Sequence, residues 1–92
     1  MYLEIITPEE VLLSQDQVTD VKVPGVNGEF QLLDNHAPIV SILQEGKIVF
    51  NDKIDLPEEK RDYFKHQNGK YIYDIKAGVI ENKENKTVIL VD

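Results

Sequence analysis

Residues 70–91 read KYIYDIKAGVIENKENKTVILV. Tyr71, Tyr73 and Ile75 alternate with Ile72, Asp74 and Lys76, and Val88 and Leu90 alternate with Thr87, Ile89 and Val91. A period of two sends successive side chains to opposite faces of a strand, and Val, Ile and Tyr suit that pleated surface. Upstream, Thr19, Val21 and Val23 alternate in the same way with Val18, Asp20 and Lys22. Pro24-Gly25, Asn27-Gly28, Glu45-Gly46, Asn68-Gly69 and Asn85-Lys86 punctuate the chain at short intervals, as turns between short strands do. Asn-Gly suits tight hairpins because both residues tolerate positive φ.

These signals predict ten short strands, near residues 2–7, 11–15, 18–24, 28–33, 39–43, 46–50, 62–67, 70–75, 77–82 and 86–92. Many short strands without a long helix predict an all-β fold, a two-sheet β-sandwich or flattened barrel. One domain spanning residues 1–92 is expected. Asp55-Leu56-Pro57-Glu58-Glu59-Lys60-Arg61 breaks the rhythm. Asp followed three residues later by Glu has the spacing of a capping box, and Pro57 stands early in the first turn. A polar loop with a single helical turn is predicted there.

A net charge of -7 opposes nucleic acid and anionic lipid as partners, because both are bound by neutralising phosphates. The ten Lys and Arg are scattered, and cysteine is absent, which excludes disulfides and thiolate metal sites. No apolar stretch approaches the roughly 20 residues that cross a bilayer, so no direct lipid insertion is expected. Met1-Tyr2-Leu3-Glu4 has neither the charged nor the apolar region of a signal peptide. A soluble, non-exported protein is expected.

Little in the chain points to chemistry. His36 and His66 lack a second strong ligand at the i+2 or i+4 spacing that aims two groups at one ion. Neither a metal nor any other cofactor is expected. Ser14 and Ser41 lack the Gly-flanked elbow of a nucleophile. Pro24-Gly25-Val26-Asn27-Gly28 runs from strand to strand, whereas a phosphate loop needs a following helix. Glu29 or Asp34 with His36 could form the acid–base pair of a small hydrolase or isomerase. Against that, Asp34-Asn35 initiates a turn and Pro38 restricts the backbone at Ala37. The residues themselves point to a binding or structural module without catalytic residues. A stand-alone sandwich that binds a small ligand or glycan through its four Tyr and three Phe is the alternative.

The run from Val23 to Pro38, VPGVNGEFQLLDNHAP, resembles the signature of ATP synthase epsilon subunits: a turn, then Gly-Glu-apolar, then His-Ala-Pro. The resemblance continues through Leu3-Glu4-Ile5-Ile6-Thr7-Pro8-Glu9, Leu43-Gln44-Glu45-Gly46-Lys47-Ile48, Ala77-Gly78-Val79-Ile80-Glu81 and Thr87-Val88-Ile89-Leu90-Val91-Asp92, in the family's order. Asn35 stands where many members have Gly, and Asn is among the non-Gly residues most tolerant of positive φ. Gln31 and Ala77 also replace family glycines. The stretch from Asn51 to Gly69 is longer than the family's usual hairpin.

The resemblance implies a non-catalytic rotor subunit of a bacterial F-type ATP synthase. Its partners would be the gamma subunit, the polar loops of the membrane rotor ring (c subunits) and, through gamma, the catalytic head. It would lie on the cytoplasmic face of the inner membrane as a peripheral component. The family's C-terminal helical hairpin would begin at Asp92, where this sequence stops; of a natural short form and a cut piece of a longer protein, the start at Met1 favours the short form. Glu29 and His36 are implied to lie together on the end that faces the ring, whose loops carry a basic residue. Candidates for the gamma contact are Val11, Leu12, Ile39, Val40, Ser41 and Ile42.

Overall fold

The computed structural model describes residues 1–92. Ten strands form: β1 (Tyr2–Ile6), β2 (Val11–Gln15), β3 (Asp20–Gly25), β4 (Gly28–Leu33), β5 (Ile39–Leu43), β6 (Gly46–Asn51), β7 (Lys65–Gln67), β8 (Lys70–Ile75), β9 (Gly78–Lys83) and β10 (Lys86–Val91). A four-residue helix, α1 (Glu58–Arg61), lies between β6 and β7.

The hydrogen-bonded order is β2-β1-β10-β9-β5-β3-β6-β8-β7, with β4 paired to β3. The step from β5 to β3 rests on one residue pair, Leu43 with Gly25. There the sheet folds over, leaving β2-β1-β10-β9-β5 as one layer and β4-β3-β6-β8-β7 as the other. β1 and β10 run parallel, and the remaining pairs are antiparallel. This is the β-sandwich that the alternation predicts.

Every second residue fills the space between the layers. Leu3, Ile5, Ile80 and Ile89 from the first layer meet Val21, Val23, Leu32, Ile48 and Phe50 from the second, and all are fully buried. Close-packed aliphatics of this kind supply most of the favourable free energy of such a fold. At one edge Phe50, Phe64 and Tyr71 form an aromatic cluster, with Phe50 edge-on to Phe64 at 5.4 Å between centroids. The buried polar side chains are bonded: Thr87 donates to Asn82 Oδ1 (2.9 Å), and Asn82 Nδ2 donates to the carbonyls of His36 (3.0 Å) and Ala37 (3.2 Å).

Two local expectations are corrected. The capping box does not form: the helical turn starts after Pro57, no side chain caps it, and the Asp55 N–H donates to Gln17 Oε1 instead. The seventh strand begins at Lys65 rather than near 62, because Tyr63 and Phe64 close tight turns onto Lys60 and Arg61. The segment is also less polar in effect than its composition suggests, since Leu56 is buried in the core.

Turn chemistry explains the hairpins. Asn68 and Gly69, and Glu84 and Asn85, hold positive φ at the β7–β8 and β9–β10 turns, as two-residue hairpin loops require. Asn35 adopts φ 64°, the conformation for which it was read as a substitute for Gly.

Candidate functional site

The register of the first layer fixes what its outer face displays. Ile42 pairs with Val79, Val79 with Leu90, Leu90 with Ile6, and Ile6 with Val11. These five aliphatic side chains form one row across β5, β9, β10, β1 and β2. Four inter-strand steps make the row about 19 Å long. Ile42, Val79, Leu90 and Val11 are each at least 40% exposed. Scattered exposed aliphatics are ordinary, but a contiguous row signals a surface meant to be covered.

The next row, about 7 Å along the strands, reads Val40, Glu81, Val88, Glu4 and Ser14. Beyond it Lys83 pairs with Lys86 and Lys86 with Tyr2, whose ring lies 5.4 Å from the Lys86 ammonium. The face thus grades from apolar to acidic to basic.

The outer face of the second layer is different in kind. Asp74 is bridged at 2.8 Å by both Lys47 and Lys65, and these two ammonium groups hold its carboxyl down to about 2. Asp20 accepts from Gln31 (2.9 Å) and Lys70 (3.3 Å), and Lys22 lies 3.7 Å from Glu29. Asp20 and Asp74 are thus paired within the chain, whereas Glu29 makes only the longer, exposed contact with Lys22.

The residues singled out in the sequence scatter over this framework. Val11, Val40 and Ile42 stand on the apolar outer face, whereas Leu12 is buried, Ile39 packs against the core, and Ser41 pairs with the inward Ile80. Leu12 turns inward because a bulge in β2 pairs Ile5 with Leu13 but Ile6 with Val11. The extra residue re-aims the strand.

Glu29 and His36 are exposed but do not share one end of the sandwich, which corrects the implied arrangement. β4 runs between them, with Glu29 to Leu33 covering about 13 Å. Glu29 lies by the β3–β4 hairpin, which bonds to β5 and its following turn through Val26 N–H to Ile42 O (3.2 Å) and Gln44 N–H to Pro24 O (2.9 Å). His36 lies at the opposite end, against the β9–β10 hairpin, where Asn35 N–H donates to Asn85 Oδ1 (2.7 Å). Asp34, also there, accepts from the N-terminal amine at 2.5 Å and from Asn85, and both hold its carboxyl below the usual carboxylate range. Asp34 is therefore a structural tie rather than a partner for His36, whose Nδ1 lies 2.7 Å from the Ala37 carbonyl oxygen.

Val79, Leu90 and Ile6 were not singled out from sequence, though a signal existed. Residues 88–91 are apolar at every position, and a strand apolar on both faces is a strand covered on both faces.

The long β6–β7 connection has a clear role in the structure. It lies along the free edge of β2: Gln15 Nε2 donates to Asp55 O (2.8 Å), and Lys60 Nζ donates to Val11 O (3.0 Å) and Glu10 (3.2 Å). Tyr63 OH donates to Glu10 (2.8 Å), and this bond, with that from Lys60, holds the Glu10 carboxyl below its usual range. Open sheet edges invite a second strand, and this strap covers one.

The whole chain, residues 1–92, matches the family described as ATP synthase, Delta/Epsilon chain, beta-sandwich domain. The ATP synthase epsilon chain of Lawsonia intracellularis is 34% identical over 92 residues, covering 100% of this chain and 58% of that protein. That of Chlorobium limicola is 31% identical over 90 residues, covering 98% of this chain and 86% of that protein. The chain thus spans less than two thirds of some curated relatives and most of others. Among solved structures, a chain of the Tetrahymena thermophila mitochondrial ATP synthase central stalk and c-ring superposes with a TM-score of 0.73 at 14% identity, covering 99% of this chain and 62% of that one; it shows the shared fold. Sequence signature, sandwich topology and full-length match agree: the chain belongs to the ATP synthase delta/epsilon chain family, of which it carries the β-sandwich domain.

Proposed function

We propose that the chain is a non-catalytic central-stalk subunit of an F-type ATP synthase, joining the gamma subunit to the membrane rotor ring so that both turn as one body. The observation that carries this reading is the aliphatic row Ile42–Val79–Leu90–Ile6–Val11 on one outer face. A free-standing ligand-binding sandwich gains nothing from it, whereas a subunit held against a larger partner buries it. Gamma is the proposed occupant, and through gamma the chain reaches the catalytic head.

Glu29, exposed at the end nearer Ile42, is proposed to face the polar loops of the ring, where its carboxylate would meet a basic side chain. The fully interlocked core supports the mechanical role, because a densely packed sandwich transmits strain instead of absorbing it. The proposed location is peripheral, on the cytoplasmic face of the bacterial inner membrane.

Affinity capture of the tagged chain from detergent-solubilised native membranes tests the reading. Recovery of gamma with the catalytic head and ring is expected. Recovery of the chain alone, with an intact ATP synthase purified separately without it, would overturn the proposal.

A further inference from the structure

Glu81 sits within the face proposed to dock, on β9 between β5 and β10, and it is unlike the other carboxylate in its row. Glu4 accepts a hydrogen bond from Tyr2 OH (3.2 Å), and that hydroxyl also bonds Ser14. Glu81 is exposed, makes no ion pair within 4.0 Å and accepts no hydrogen bond. Its cross-strand neighbours are Val40 on one side and Val88 on the other, and Val79 and Leu90 stand in the next row. Water solvates this carboxylate while the face is open. Covering the face with apolar surface alone would strip that water and leave a buried, unpaired charge, a heavily penalised state.

Resting on the docking reading above, we infer that the partner presents a cationic side chain, an arginine by preference, to Glu81, about 7 Å to one side of the apolar ridge that fills the aliphatic row. Arginine fits because its weakly hydrated, planar guanidinium can pair bidentately with a carboxylate while packing flat against Val40 and Val88. The pair fixes direction as well as position. The aliphatic row alone reads nearly the same from either end, whereas Glu81 lies on one side of it and Lys83 and Lys86 lie farther out on that same side. A partner turned end for end would set its cation beside Gln44, Ala77 and Asp92, where the Asp92 carboxylate already accepts from the Lys76 and Ala77 N–H groups. A second copy of this chain is the poorer occupant, since the cations it offers on this face are Lys83 and Lys86 at the margin and none is an arginine.

Binding of the full chain to the purified gamma subunit of the same ATP synthase, measured at low and high salt, tests the inference with three variants. Glu81→Gln should weaken binding about tenfold and flatten its salt dependence, and Glu81→Lys about a hundredfold, as expected when one member of a desolvated charge pair is removed or inverted. Leu90→Asp, which acts on the aliphatic row, should abolish binding. Both sites are exposed, so the melting temperature should hold and report that folding is intact. If Leu90→Asp abolishes binding while both Glu81 variants bind within about twofold of the parent, the charge pairing is wrong and the docking face stands. If all variants bind like the parent, the docking reading falls and the pairing with it. If the parent chain self-associates through this face in preference to binding gamma, the choice of occupant is wrong.

Discussion

Val79 of β9 and Leu90 of β10 face each other across an antiparallel pair, and 40% and 51% of their surfaces remain open to solvent. The strands that carry them also supply Ile80 and Ile89, which are completely buried. The pair is thus the outward half of two strands whose inward half already builds the core. Replacing both, as Val79→Thr with Leu90→Ser, should change stability by no more than about 0.5 kcal/mol per site. Thermal melting checks this. A loss of several kcal/mol would place the two side chains in the fold's own packing and remove the reason to look for a partner.

Asp74 provides a pH-dependent contribution whose sign follows from its bridges. Lys47 and Lys65 hold its folded carboxyl down to about 2, below the value of about 3.9 for an unfolded aspartate. Its stabilising contribution is therefore fully present above the unfolded value and is lost as pH falls from about 4 to about 2. The group is half exposed, so screening by solvent keeps the effect small. A carboxyl-detected NMR titration should find Asp74 among the last carboxylates to protonate, and Lys65→Met should raise its midpoint. A midpoint unmoved by Lys65→Met would contradict the double bridge.

The strap over β2 predicts a local effect without a global one. Tyr63→Phe removes the hydroxyl that donates to Glu10, so the Glu10 carboxyl should titrate closer to its ordinary value. Hydrogen exchange should quicken in β2 and leave β9 and β10 unchanged, because edge strands open without global unfolding. Equal acceleration throughout would mean that the strap is part of the global core and does not simply cover the edge.

All ten strands were legible in the sequence because alternation and turn residues report on the same backbone twice. The failures have physical causes. Leu12 could not be assigned a face, since a bulge shifts the register by one residue and no local pattern announces it. The Asp55–Arg61 segment carries a capping-box spacing, but tertiary contacts decide it: burying Leu56 and tying the Asp55 N–H to Gln17 shifts the helical turn to begin after Pro57. The docking row was only half visible, because Ile42 and Val11 lie far apart in sequence and become neighbours of Val79, Leu90 and Ile6 only once β1 pairs with β10. Glu29 and His36, close in sequence, are set apart by the length of β4.

Glu29 separates charge from fold. Its one ionic neighbour, Lys22 at 3.7 Å, is itself partly exposed, and such a pair contributes about 0–1 kcal/mol. Glu29→Gln should leave the melting temperature nearly unchanged while weakening attachment to the rotor ring in a salt-sensitive way. Proton pumping by membranes rebuilt with the variant is the readout. Early unfolding would make Glu29 structural, and unchanged pumping and attachment at low salt would remove it from the ring contact.

The central claim is that the aliphatic row, and not the charged face opposite, lies against gamma in the assembled complex. Site-specific photo-crosslinking in native membranes addresses it directly, with p-benzoylphenylalanine placed at Leu90 in one variant and at Lys47, on the outer face of the second layer, in another. The account predicts an adduct with gamma from position 90 and none with gamma from position 47. An adduct with gamma from position 47, with none from position 90, would contradict it.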